Sequence, residues 1–341
     1  MLEKFEFGGF KKFHEYSLDN LKDINFIVGD HNSGKTTILE AIYSWCCATN
    51  IEQLFEVAGR IHSKDPYAME DALISMKHFN DDYSDSNDRS FKMWFKGYYS
   101  SKEEGDTYYH DIIPSELLYK PVNVYDPVAN NNFIVNNESM PPYTIAKWSV
   151  RHNNDKVVST FLTPNSTSTI PPINNIYLNL HSEINMNVIS RMYAALKRRN
   201  KLRTVIKYFY YIYPNIVDFD MIPYQNGAVS PVCVKEEKFI APIYTYGEDV
   251  TKWFLIFTAN LLNFNSFLCF DNFDLEDSFY KNTTDVFRIH LIYEISSNKN
   301  QLFISTNENV ADKIKSRIST YKSDPDFYKW LNSKINFIML N

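Results

Sequence analysis

The sequence predicts an α/β fold on a buried sheet, with a large insertion. Three observations predict it. Residues 24–28 form an apolar run interrupted only by Asn25, the mark of a strand covered on both faces. Residues 36–45 follow with Ile38, Leu39, Ile42 and Tyr43 at helical spacing. The last third of the chain again alternates helical and extended patterns.

In order, residues 3–10 and 14–18 alternate apolar and polar side chains and read as strands. Residues 24–28 are the central strand and 36–45 the helix after it. From about residue 84 to residue 175, Asn, Ser, Asp, Pro and Tyr dominate, as in "DPVANNNFIVNNESMPP"; short strands joined by polar loops are expected. Residues 182–212 read as one long helix, broken by Pro214. Helices are expected at 251–262, 278–297 and 309–321, strands at 266–270 and 301–305, and an edge strand at 335–340. The expected division is a core of residues 1–84 and 181–341 and an insertion lobe, 85–180, serving as a lid or facing a partner. A chain of 341 residues suits one main domain with such a second lobe.

Apolar residues make up 44% of the chain, enough for a packed interior. No apolar stretch of about 18 residues implies a membrane span, and the N-terminus lacks a secretory pattern. Cys46, Cys47, Cys233 and Cys269 include no C-x-x-C pair, so buried thiols in a reducing cytoplasm are expected. The eight histidines show no metal-ligand spacing. A net charge of −6 argues against a chain that coats nucleic acid over its whole surface, but leaves room for a local basic groove.

The apolar strand runs into "GDHNSGKTT". Gly29, four residues, then Gly34, Lys35 and Thr36 match G-x-x-x-x-G-K-[ST]. In such a loop the backbone curls until N–H groups point inward, and those donors and the helix N-terminus favour phosphate. The expected ATP contacts are Gly29, Asn32, Ser33, Gly34, Lys35, Thr36 and Thr37. Lys35 would reach the β and γ phosphates and the Thr36 hydroxyl would ligate Mg²⁺. A carboxylate for the magnesium shell is expected at the end of a neighbouring strand, and "SFLCFDNFD" supplies Asp271. About 235 residues separate the loop from Asp271, which suits ABC-type ATPases better than small kinases or GTPases.

Residues 1–43, with "YPNIVDFDMIP", "IYTYGEDVTKWFLIFTANLLNFNSFLCFDNFD" and "QLFISTNE", resemble the OLD/RecF-like ATPases in order and spacing. The likeness covers about residues 1–80 and 185–310. It implies an ABC/RecF-like P-loop head that pairs with a second copy, as a homodimer or higher oligomer, around shared ATP. Gly247 and Glu248 match the family's Ser-x-Gly-Asp/Glu-Gly signature, which contacts the neighbour's γ-phosphate. Thr245 stands for the usual serine and Asp249 for the second glycine. A plain helix N-terminus with acidic first-turn residues also explains "TYGEDV".

Two departures bear on chemistry. Asn272 follows Asp271 where the family has the glutamate that activates water. Asn307 stands where it has a switch histidine. An amide orients water but takes no proton, and general-base help contributes about 10²–10⁴-fold. Slow or absent hydrolysis is expected, with Asp274, Glu276 or Glu308 as alternative bases.

Lys197, Arg198, Arg199, Lys201, Arg203 and Lys207 fall within eleven positions. They read either as a nucleic-acid backbone contact or as a solvated helix face. The run after Asn307 is too short for the Toprim nuclease of OLD enzymes. The resemblance therefore implies a separate effector, a nuclease or toxin, as in phage-defence operons. The rival expectation is a RecF-like ATPase that hydrolyses ATP on DNA in repair.

Overall fold

The computed structural model describes residues 1–47, 91–99, 106–114, 123–126, 131–134, 146–153, 157–161, 175–180, 186–222, 232–273, 294–295 and 297–340. Five strands form a parallel sheet in the order β10 (Asn175–Asn179), β14 (Phe267–Asp271), β15 (Gln301–Thr306), β3 (Ile24–Val28), β16 (Ile335–Met339). The inner strands β3, β14 and β15 are buried at every residue. Their apolar runs have no polar face because both faces are covered.

The pleat sorts these strands into two cores. Phe26, Leu268, Phe270, Leu302 and Ile304 face one side. Ile27, Phe267, Cys269, Phe303 and Tyr177 face the other, with Ile38, Leu39 and Ile42 of helix α1 (Lys35–Cys46). The same alternation turns Asp271 and Ser305 toward α1.

On the far side of α1 lies an antiparallel sheet: β2 (Phe13–Leu18), β1 (Leu2–Phe10), β4 (Phe91–Tyr99), β5 (Asp106–Pro114), β8 (Ala146–His152), β9 (Val157–Phe161). A separate ribbon pairs β6 (Asn123–Asp126) with β7 (Asn131–Ile134). Strand β4 thus joins the segment expected as an insertion to β1, and β10 joins it to β14. Trp45, fully buried near the end of α1, is wedged between the sheets. Its ring lies 5.8 Å from Phe5, 5.8 Å from Tyr99 and 5.6 Å from Phe267. A side chain on Gly97 would collide with the indole, so this close approach requires glycine.

The other face carries α2 (Met186–Arg198), α3 (Leu202–Ile212), α4 (Glu248–Leu262), α5 (Glu308–Ser319) and α6 (Pro325–Lys334). The single helix expected over 182–212 is two helices. Asn200 adopts φ 54°, and Lys201 N–H bonds Leu196 O at 2.9 Å while Asn200 N–H bonds Lys197 O at 3.1 Å. This is a Schellman stop with asparagine as the left-handed residue. A small sheet of β11 (Asp218–Met221), β12 (Val232–Lys235) and β13 (Ile240–Pro242) precedes α4 and was not expected. Nor was α6, which Asp324 caps through Phe327 N–H at 3.1 Å, with proline at its start. The helix expected over 278–297 lies almost wholly outside the described residues. Among them no helix is long and apolar enough to cross a membrane.

Gln301 ties the N-terminus to the parallel sheet. Its carbonyl oxygen accepts from Leu2 N–H at 3.0 Å, and its amide donates to Leu2 O and Lys22 O, both at 2.8 Å. Gln301→Leu removes the side-chain partner of the buried Leu2 N–H and Leu2 O and one of the two donors to Lys22 O, which keeps Asn25 Nδ2. It should cost about 2–4 kcal/mol, read as a lower urea midpoint with unchanged slope; a loss under about 1 kcal/mol would show that these bonds contribute little net stability.

Candidate functional site

The loop between β3 and α1 curls over the end of the parallel sheet. Asn32 and Gly34 have φ 64° and 106°. A Cβ on Gly34 would meet Lys12 Cε at 2.5 Å and Phe13 Cζ at 2.7 Å, so both backbone and neighbours demand glycine there. Helix α1 starts without a side-chain cap and without an acidic residue in its first turn. Its leading amides are therefore not capped by a side chain of the helix itself, which suits an anion. Lys35 Nζ donates to Gly29 O at 2.6 Å and Asp30 O at 2.7 Å. The Ser33 hydroxyl is buried without a partner.

The turn between β1 and β2 braces this loop. Lys12 Nζ donates to Asn32 O at 2.8 Å, and Phe13 packs against Gly34. Lys11, in a left-handed conformation, forms a buried ion pair with Glu40, one turn beyond Thr36 in α1. These contacts link the antiparallel sheet to the loop independently of the strands beneath it.

Asp271, at the end of β14, has no solvent exposure. The Thr36 hydroxyl lies 2.9 Å from its Oδ2 and 3.2 Å from Oδ1. Tyr177 OH donates to Oδ2 at 3.1 Å, Asn272 N–H approaches Oδ1 at 3.1 Å, and Ser305 Oγ donates to Oδ1. Burial pushes the Tyr177 hydroxyl well above the ordinary range, and the Asp271 charge adds to it, so Tyr177 stays a neutral donor. Carboxylate and hydroxyl oxygens converging beside an anion-binding loop fit a hard cation such as Mg²⁺. Among the described residues no group of three or more His, Cys, Asp or Glu could hold a metal.

The two asparagines differ. Asn307 is the N-cap of α5: its Oδ1 accepts from Val310 N–H at 2.9 Å. Asn272 has φ 59°, and its amide donates to Asn179 Oδ1 at 3.2 Å. Glu308 is exposed in the first turn of α5; Asp274 and Glu276 lie outside the described residues. Gly247 and Glu248 open α4, and Glu248 pairs with Lys252 at 3.3 Å. No hydrogen bond or ion pair joins either to the loop within this chain's described residues. Thr37 sits in the first turn of α1.

The basic stretch is divided between α2 and α3. Arg199 donates to Leu262 O at the end of α4, and Lys197 lies 3.8 Å from Asp220. Arg198, Arg203 and Lys207 are exposed. All four cysteines are buried free thiols; burial raises Cys46 and Cys269 above their usual range, which makes them inert.

Sequence reading missed Tyr177, Asn179 and the role of Ser305 on Asp271. "NIYLN" carries the signal: Ile176 and Leu178 pack on the helical core, leaving Asn175, Tyr177 and Asn179 on the α1 face.

No protein-family model matches the sequence, and no curated protein does. Among solved structures, the chain is similar to an Smc head bound to the C-winged helix domain of ScpA. Identity is 12%, with 89% of each chain covered and a TM-score of 0.47. It is also similar to the recombination mediator protein RecF of the RecFOR pathway, at 10% identity, covering 90% of this chain and 92% of that one, with a TM-score of 0.39.

Lys11→Met should cost about 3–5 kcal/mol, because it removes the cation paired with the buried Glu40 carboxylate. Adding Glu40→Met should recover most of that loss in the same thermal unfolding assay. A double variant as unstable as the single one would show that the carboxylate is not the source of the cost.

Proposed function

We propose that this chain is an ATP-binding subunit of the ABC/OLD type, which forms ATP-sandwiched oligomers and holds or regulates a separate effector. The observation that carries it is the approach of Thr36, beside Lys35, to within 2.9 Å of Asp271, 235 residues away in sequence. Hydroxyl and carboxylate meet where a nucleotide's metal would lie.

In this reading Lys35 exchanges its carbonyl partners for the β and γ phosphate oxygens, and the α1 amides bind the same chain. Thr36 and Asp271 would hold Mg²⁺, which would supply charge neutralisation to the phosphates. By the sequence resemblance, Gly247 and Glu248, at the start of α4, would meet the nucleotide of a second copy. Neither Asn272 nor Asn307 accepts a proton, and Asn307 is engaged as a helix cap. Hydrolysis is therefore slow, and bound ATP keeps the oligomer together. A nuclease or toxin held by that oligomer, in phage defence, and a cytoplasmic setting follow from the sequence resemblance. The 85–180 segment would then be the lid or partner-facing lobe.

A second reading, a RecF-like ATPase working on DNA, draws on Arg198, Arg203 and Lys207, which are exposed and make no ion pair among the described residues. Lys201 adds to this charge. Arg199 and Lys197 weaken it, since each already has a protein partner.

Lys35→Ala should weaken ATP binding by at least about 100-fold, measured by calorimetry with Mg²⁺, and abolish nucleotide-dependent assembly in sedimentation. Unchanged affinity would refute the site. The parent chain should release phosphate at a rate that duplex DNA does not alter; strong DNA stimulation, falling steeply with salt, would favour the second reading.

A further inference from the structure

The turn after β14 is fixed from two sides. Asn272 N–H donates to Ser305 Oγ at 2.8 Å, and Phe273 N–H donates to Ser305 O at 2.9 Å. Thr306 Oγ1 donates to Phe273 O at 2.8 Å, and Leu180 N–H donates to Asp271 O at 2.9 Å. The backbone of Asp271–Asn272–Phe273 is thus tied to β15 on one side and to the end of β10 on the other. Within these ties Asn272 sits at φ 59°. Asparagine and glycine take up that left-handed conformation readily; other L-residues are disfavoured by contact between Cβ and backbone. Asn179, whose Oδ1 receives the Asn272 amide, is the residue paired directly with Asp271 in the β10–β14 register.

We propose that Asn272 is a positioning residue, required for its backbone conformation rather than for water activation. With Ser305 and Asn179 it locks the turn that aims Asp271 at the metal. The same lock holds the hydrolytic position in a left-handed conformation that is disfavoured for glutamate relative to asparagine or glycine. Retention of ATP is then built into the turn and not only into the missing carboxylate. The inference rests on the reading that Mg·ATP binds between Lys35, Thr36 and Asp271.

The parent chain is titrated first with a fluorescent ATP analogue at increasing Mg²⁺, and its phosphate release is measured. If it does not bind, or turns over rapidly, the proposed function itself fails before any variant is compared. Asn272→Ala and Asn272→Gly remove the same amide and differ only in tolerance of a positive φ. Ala should raise the half-saturating Mg²⁺ roughly 5-fold more than Gly does. Asn272→Glu should bind like the Ala variant and should not speed phosphate release by more than about 10-fold. Equal Mg²⁺ dependence of Ala and Gly would overturn the inference. So would a Glu variant hydrolysing at least about 100-fold faster than the parent, the rate a working general base restores. If the Glu variant does not fold, the Ala–Gly comparison decides.

Discussion

A carboxylate sealed from water sets the terms for this fold. Burying Asp271 is tolerable only if its oxygens are met by donors, and the donors come from separate parts of the chain. Thr36 comes from the start of α1, Tyr177 from β10, Ser305 from β15, and the fourth is the backbone N–H of Asn272. Each element must lie in register for the set to close. The parallel pairing of Asn179 with Asp271 and of Ser305 with Ile27 supplies that register. Sheet order and site geometry are therefore one constraint.

The loop that meets this carboxylate is held by a second, independent layer. The β1–β2 turn contributes a buried cation to Glu40, an exposed cation to the Asn32 carbonyl and a ring against Gly34. Support from below and from above leaves the glycine-rich backbone little freedom. Rigid placement of this kind is what a site relying on many weak N–H contacts to phosphate needs.

Much of this was legible in the sequence where one local signal sufficed. The apolar run at 24–28, the glycine-lysine-threonine loop and the strand ending at Asp271 each carry their own pattern, and the structure has strands and helix there. What escaped reading depends on pairing. Tyr177 and Asn179 lie in a five-residue strand within a polar stretch, and only the β10–β14 register gives them meaning. The helix break at Asn200 escaped because no glycine or proline marks it. The left-handed turn at Asn272 is set by Ser305, 33 residues on, so the asparagine looked like a lost glutamate when its backbone has a reason of its own. Asn307 likewise reads as a lost histidine until its hydrogen bond to Val310 shows a helix cap.

Trp45 gives the architecture a mechanical property. Helix α1 spans 12 residues from Lys35 at the loop to Cys46, a rod of about 18 Å. Next to its far end the indole touches β1, β4 and β14 at once. Packed interiors compress little, so the rod cannot slide at the loop without prying the two sheets apart at the other end. A push of an ångström at Lys35 thus reappears at the β1–β4 seam, the place where the strands beyond residue 90 are anchored.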